Sequence, residues 1–240
     1  MSNISSINPL NYSYSALASG TSITSAAANP AGLVISESIK SQTSGLTQEI
    51  NNDKSSQNLY STADGAYKSI SDNLQRMREL SVQASNGILS QDDKSIIQNE
   101  INQIKDSISG TIKNSEYNGI KILEGEAEDS FGLGKLSLDK LGIKDFNVTG
   151  NFSIDDIDNA ISSINKQRSE VGASYNGLSY SANYKETVRL NLTNSLSKIS
   201  DTNYAEEINK LNVQNILNQY KIGMQNIYMG NQKSKLNLFM

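Results

Sequence analysis

From Ile154 to Ile199, side chains return every seven residues in two registers. Ile154, Ile161, Arg168, Tyr175, Ala182, Arg189 and Leu196 form one series; Ile157, Ile164, Val171, Leu178, Lys185, Leu192 and Ile199 form the other, offset by three. Eleven of these fourteen positions are apolar, a helical seam carried through about seven repeats. A stripe that narrow on a helix that long buries too little against itself, so the chain must fold as helix against helix. Only Pro9 and Pro30 are prolines, so helices elsewhere can run far without interruption. Arg168, Lys185 and Arg189 interrupt the seam. They read as long stems passing beside the packed stripe with their heads in water, the other reading being devices that set helix register.

Composition supports the same architecture and removes most chemistry. Of 240 residues 36% are hydrophobic and 6% aromatic, with no Trp, while 37 Ser and 29 Asn make over a quarter of the chain small and polar. That is thin for a thick globular core and suits long helices burying one face each. The absence of Cys excludes disulfides, thiolate metal sites and a cysteine nucleophile; the absence of His excludes a Ser-His-Asp triad and imidazole ligands. Only a carboxylate-based glycosidase or a hard-cation site remains open on composition. A net charge of −4 argues against a nucleic-acid partner, and no stretch approaches the apolar length of a membrane span. The chain therefore reads as no enzyme, with no cofactor, no metal, no nucleic acid and no membrane among its partners.

Residues 1–28 form an uncharged polar leader without the pattern of a cleavable signal. Ile4, Ile7, Leu10, Tyr14 and Leu17 recur at helical spacing, but Pro9 is expected to interrupt a helix there, so order should begin at Asn29-Pro30, an N-cap followed by proline. Residues 29–115 read as two helices. The first carries Leu59, Ala63, Ala66, Ile70, Leu74, Met77, Leu80 and Ala84 and stops at Asn86-Gly87. The second opens on a capping box at Ser90 and Asp93 and carries Ile97, Ile101, Ile104, Ile108 and Ile112. Residues 116–152 read as a short variable middle, a β-hairpin or small meander, with a turn at Tyr117-Asn118-Gly119 and an apolar run from Leu136 to Ile143. Residues 153–200 are the heptad helix, opened by a second capping box at Ser153 and Asp156. Residues 201–240 are a terminal helix capped by Asp201-Thr202-Asn203. That helix carries Ile208, Leu211, Val213, Ile216, Tyr220, Met224 and Ile227, then Leu236, Leu238, Phe239 and Met240. So much apolar surface on a terminal helix demands a partner. The fold class is mainly α, a long-helix coiled-coil bundle with a small β-hairpin region in the middle.

Several segments resemble bacterial flagellin. Ser25-Ala-Ala-Ala-Asn-Pro-Ala-Gly32 and Ser44-Gly-Leu-Thr-Gln48 look like the family's entry into its first long helix. Asn73-Leu-Gln-Arg-Met-Arg-Glu-Leu-Ser-Val-Gln-Ala-Ser-Asn-Gly87 is similar to the family's most distinctive stretch, and Gln98-Asn-Glu-Ile-Asn-Gln103 and Tyr117-Asn-Gly119 follow in order. Gln167-Arg-Ser-Glu-Val-Gly-Ala173, Ser197-Lys-Ile-Ser-Asp-Thr-Asn-Tyr-Ala-Glu206 and Gln214-Asn-Ile-Leu217 resemble the carboxyl-terminal region. The resemblance covers residues 20–123 and 153–240. Relatives usually carry a longer stretch before the segment matching Ser19-Gly20, and Asn29-Pro30 stands where they have paired aspartates.

The resemblance implies a structural subunit of the bacterial flagellar filament, a helical homopolymer. It implies type III export and, as partners, a flagellar export chaperone and junction and cap proteins. The chain ends, 1–28 and 201–240, would form the inner coiled coil, and 29–115 with 153–200 the rod. The assembly residues would be Ile208, Leu211, Ile216, Tyr220, Met224 and Ile227. Arg76, Arg78, Leu80 and Gln83 would lie on a face shared between subunit contact and Toll-like receptor 5, while Ser107 stands where relatives place an acidic residue. The alternative is a hook-filament junction or secreted flagellin-like protein.

Overall fold

The computed structural model describes residues 9–23, 25–27 and 29–237, and side chains within 12–232. Ile4, Ile7, Leu238, Phe239 and Met240 lie outside the described residues, as do the side chains of Leu10 and Leu236. The elements are α1 (Pro9–Ser19), α2 (Pro30–Ala84), α3 (Gln91–Asn114), β1 (Glu116–Tyr117), β2 (Ile120–Lys121), α4 (Glu128–Phe131), α5 (Ile154–Ser200) and α6 (Tyr204–Asn237). The chain divides into two compact units. One comprises residues 1–47 with 186–240, the other residues 48–185.

In the unit of residues 48–185, each helix contributes the stripe its periodicity predicts. Tyr67, Ile70, Leu74 and Met77 of α2 are fully buried, and they cluster with Ile101 and Ile108 of α3 and Ile157 and Ile164 of α5. The helix starts are locally determined. Asn29 Oδ1 accepts from the Gly32 amide at 2.9 Å, and Ser90 and Asp93 exchange both capping-box bonds. At α5 the capping differs from expectation. Ser153 Oγ accepts from the Asp155 amide at 3.1 Å, one residue earlier than a capping box with Asp156 requires.

Two of the three cations in the α5 seam turn out to bind the neighbouring helix rather than only extend past the stripe. Arg168 forks onto Asp64 with bonds of 2.8 and 3.3 Å, and Lys185 reaches Asp53 at 2.9 Å and Glu49 at 3.3 Å. The Asp53 bond holds the Lys185 ammonium above its ordinary pKa. Arg189 pairs with Glu186 on its own helix. The carboxylate partners are more than a hundred positions away in the chain, so spacing within α5 does not reveal them.

The middle contains a single hairpin and no meander. Asn118 at φ 51° and Gly119 at φ 80° close a two-residue turn with both central residues left-handed, the geometry that makes Asn-Gly the favoured hairpin pair. The run from Leu136 to Ile143 is not a strand. It folds as turns whose Leu136, Leu141 and Ile143 complete the helical core, together with Ile122 and Leu123. Polar residues of α3 hold the following loop. Gln91, Gln98 and Lys105, seven apart on one face, bind Thr149 O, Val148 N, and the carbonyls of Lys144 and Phe146. Burial lowers the Lys105 pKa, partly offset by Asp145.

In the other unit, α1 corrects the expectation that Pro9 interrupts a helix. Pro9 is the first residue of α1, where the missing amide hydrogen costs nothing. The helix is held by contacts distant in sequence. Ser13 Oγ donates to the buried Glu207 of α6 at 2.7 Å, and Thr202 Oγ1 donates to Ala16 O at 3.1 Å, so α1 and α6 run antiparallel. A bridge between Thr21 and Asp201 seals the joint, with Thr202 N on Gly20 O at 3.0 Å. Gly20 has φ 71° and leaves only 3.3 Å between an added Cβ and the Tyr204 hydroxyl, so both backbone and space favour glycine there.

One buried hydroxyl makes the unit of residues 48–185 pH-sensitive. Tyr67 is fully buried and donates to Gln167 at 3.2 Å; burial, with a smaller push from Glu170, raises its pKa from 10.0 to about 12. A folded-state pKa above the unfolded one contributes stability that is complete below pH 10 and is lost as pH rises through 12, roughly 3 kcal/mol in all. Tyr67→Phe should therefore flatten the alkaline loss of stability relative to the parent, as read by urea unfolding across that range. Equal losses in both proteins would show that Tyr67 does not carry it.

Candidate assembly surface

The terminal helix α6 has two unlike sides. Near its start, Glu207 is buried beneath α1 and Leu211 is half-buried. On the opposite side Val213, Ile216, Leu217, Tyr220, Met224, Ile227 and Tyr228 step by threes and fours, and every one is exposed. Ile216 is 65% exposed, Tyr220 67% and Ile227 60%, values at which a large apolar side chain gains almost nothing from the fold it belongs to. Ile222 and Met229 extend apolar surface to a further side, also exposed. Of the six residues the sequence singled out, Ile208, Ile216, Tyr220, Met224 and Ile227 are exposed and Leu211 is partly covered. Sequence reasoning passed over Tyr228 and Met229, although Tyr220, Met224 and Tyr228 share a spacing of four. A contiguous apolar stripe of this length on a monomer marks a surface made to be covered.

The arginine face is different in kind. Arg76 and Arg78 lie on opposite flanks of the buried α2 stripe. Arg76 donates twice to Glu100 of α3, at 2.7 and 2.9 Å, and to Glu79 at 3.2 Å; Arg78 forks onto Asp158 of α5 at 2.6 and 3.4 Å. Both side chains are about half exposed, so these pairs align neighbouring helices without burying charge. The bonds to Glu100 and Glu79 raise the Arg76 pKa, and those to Asp158 raise that of Arg78. Leu80 does not join them at the surface. It is 2% exposed and belongs to the core, because its position is rotated toward Met77 and Ala84. Gln83 is exposed, and Ser107 on α3 accepts from Asn73 at 3.3 Å. The surface set is therefore Arg76, Arg78 and Gln83 with the partner carboxylates Glu79, Glu100 and Asp158; spacing along α2 connects Arg76 to Glu79 and Gln83, whereas Glu100 and Asp158 come from α3 and α5.

Among the described residues no three His, Cys, Asp or Glu side chains gather as a metal site, and no helix is long and apolar enough to cross a membrane. What the surface offers is apolar stripe and ion-paired helix face.

Comparison with known proteins agrees with this architecture. The bacterial flagellin N-terminal helical region matches residues 2–128, and the bacterial flagellin C-terminal helical region matches residues 154–238. The flagellar filament 33 kDa core protein of Treponema phagedenis is 30% identical over 225 residues, spanning 80% of this chain and 79% of that protein. The flagellin of Bacillus subtilis is 30% identical, spanning 85% of this chain and 84% of its own length. The crystal structure of Bacillus cereus flagellin superposes with a TM-score of 0.50 at 27% identity, covering 56% of this chain and 88% of that one. With both terminal helical regions matched on either side of residues 129–153, the chain belongs to the bacterial flagellin family.

Proposed function

We propose that the exposed apolar stripe of α6 is the surface through which this flagellin polymerises as a structural subunit of the flagellar filament. The observation that carries the reading is the run from Val213 to Tyr228, a continuous series of large apolar residues left in water, where α2, α3 and α5 bury their central stripes and expose apolar residues singly or in short groups such as Val34 and Ile35, Ile96, and Tyr180 and Tyr184. Repeated burial of such a stripe against different surfaces of neighbouring copies generates an open helical polymer, because a heterologous contact need not close. Residues 1–28 and 201–240 are then the inner segments, 29–115 and 153–200 the rod, and 116–152 the variable middle. The role is structural and not catalytic, consistent with a sequence that has neither His nor Cys.

The related names of other filament proteins support a place in the flagellum, and secretion to the cell exterior follows as part of the same proposal. An export chaperone covering the α6 stripe before assembly, and junction and cap proteins contacting it at the filament ends, are the partners this chemistry suits. The face of Arg76, Arg78 and Gln83 is proposed as a second subunit contact and, on the family resemblance, as a surface for host Toll-like receptor 5, with Ser107 in place of an acid weakening that contact. Planar guanidinium groups already held by carboxylates present a fixed array of donors to a partner.

Replacing Ile216 and Met224 by Asp in the full chain should leave helicity and melting temperature close to the parent, since both side chains are exposed, yet abolish filaments seen by electron microscopy. Filaments of normal order from this variant would remove α6 from the assembly surface.

The arginine face separates from the core by a paired comparison. Arg76→Ala should leave the melting temperature nearly unchanged while weakening subunit contacts and receptor signalling several-fold. Leu80→Ala, by contrast, should cost about 2–4 kcal/mol of monomer stability, because it opens a cavity in the core. Thermal unfolding with a receptor reporter assay reads both. A large drop in melting temperature for Arg76→Ala with intact signalling would place that residue in the fold and not in a contact.

A further inference from the structure

The chain carries three Asn-Gly pairs, at Asn86-Gly87, Asn118-Gly119 and Asn176-Gly177, and the fold treats them differently. Such a pair is chemically unstable when the glycine nitrogen can reach the asparagine side chain, since glycine has no Cβ to obstruct the approach. Asn176 lies in the interior of α5, where the Gly177 amide is a helical donor, so attack requires the helix to open. Asn118 is clamped in the two-residue turn between the paired strands, with Glu116 opposite Lys121 and Tyr117 opposite Ile120. Asn86 lies in neither a helix interior nor a strand hairpin, and its backbone turn bond across Gly87 is from the Leu89 amide to the Asn86 carbonyl at 3.2 Å. It sits in the link between α2 and α3, exposed, and nothing lies within 4 Å of a Cβ built on Gly87.

The link also fixes the Asn86 side chain against the backbone that follows it. Asn86 N is anchored to Gln83 O at 3.1 Å, and Asn86 Oδ1 accepts from the Ile88 amide at 3.3 Å. That side-chain turn holds the Asn86 carboxamide on the Gly87–Ile88 side of its own backbone. The Ile88 amide then stands where negative charge develops on Oδ1 when the carbon becomes tetrahedral.

We propose that Asn86 is a site of spontaneous deamidation in the folded protein, ahead of Asn118 and Asn176. Hydroxide takes the Gly87 amide proton and the nitrogen bonds to Asn86 Cγ. The Cγ–Nδ2 bond breaks and ammonia leaves. Water then opens the five-membered succinimide at either carbonyl, leaving aspartate or isoaspartate. The net reaction consumes one water, releases one ammonia and involves no oxidant. It installs a carboxylate in the α2–α3 link and, in the isoaspartyl product, an extra methylene in the backbone there.

The test is incubation of the full-length folded protein at mildly alkaline pH and body temperature, followed by digestion, mass spectrometry of the three peptides and enzymatic methyl labelling of isoaspartate. The expected result is conversion at residue 86 several-fold faster than at 118 or 176, with the three rates drawing together in urea. Gly87→Ala, which fits the open space and whose folding is checked by circular dichroism, should slow conversion at residue 86 and leave the other two unchanged. An unconverted Asn86, or a different order of rates in the folded protein, overturns the assignment. So does an order that is the same folded and in urea, since the preference would then owe nothing to the structure.

Discussion

No helix in this chain can cover its own apolar stripe, and the fold is organised around that requirement. The stripe of α2 around Tyr67, Ile70 and Leu74 becomes dry only when α3 folds back beside it and α5 arrives from a hundred residues further on. Closing that long a loop costs chain entropy, but the cost grows only slowly with loop length. The buried area of three facing stripes outweighs it. The middle segment shares in the same economy. Having no extended sheet of its own, it lays Leu136, Leu141 and Ile143 onto the helical core and hangs its backbone on the polar side of α3.

Charged groups have a narrower role. Arg76 to Glu100, Arg78 to Asp158, Arg168 to Asp64 and Lys185 to Asp53 each tie α2 to a neighbour; the three arginine pairs keep substantial contact with water, while Lys185 and Asp53 are mostly covered. Exposed pairs add little stability. Their value lies in alignment, because a helix that slides by a turn along a uniform apolar seam loses little packing but breaks every one of these pairings. Arg168 and Lys185, two of the three cations that interrupt the α5 heptads, thus oppose slippage of a repetitive seam, whereas Arg189 pairs within its own helix.

The same kind of apolar periodicity meets two fates. In α2, α3 and the first part of α5 the chain satisfies it internally, whereas in α6 the α1 helix covers only the side near Glu207 and Leu211. From Val213 onward the apolar stripe faces water. A subunit that buries its central stripes and leaves the α6 stripe in water, with smaller groups such as Tyr180 and Tyr184, retains apolar surface that joining other copies can cover, which is the condition a filament of identical copies requires.

The long helices, most of their termini and the hairpin turn were legible in the sequence because their causes are local. The stripes of α2 and α3, the Ser90 and Asp93 box and the Asn118-Gly119 turn depend on residues within a few positions of one another. So was the apolar character of α6. What only tertiary structure decided were the matters that hinge on distant partners. Pro9 opens a helix instead of ending order because α6 lies beside α1, and Leu80 sits in the core while Arg76, one turn away, does not. Arg168 and Lys185 are cross-helix clamps because Asp64 and Asp53 stand opposite them. Periodicity tells a helix which side is apolar, but the margin of that side is set by how neighbouring helices approach, and no count along one helix contains that information.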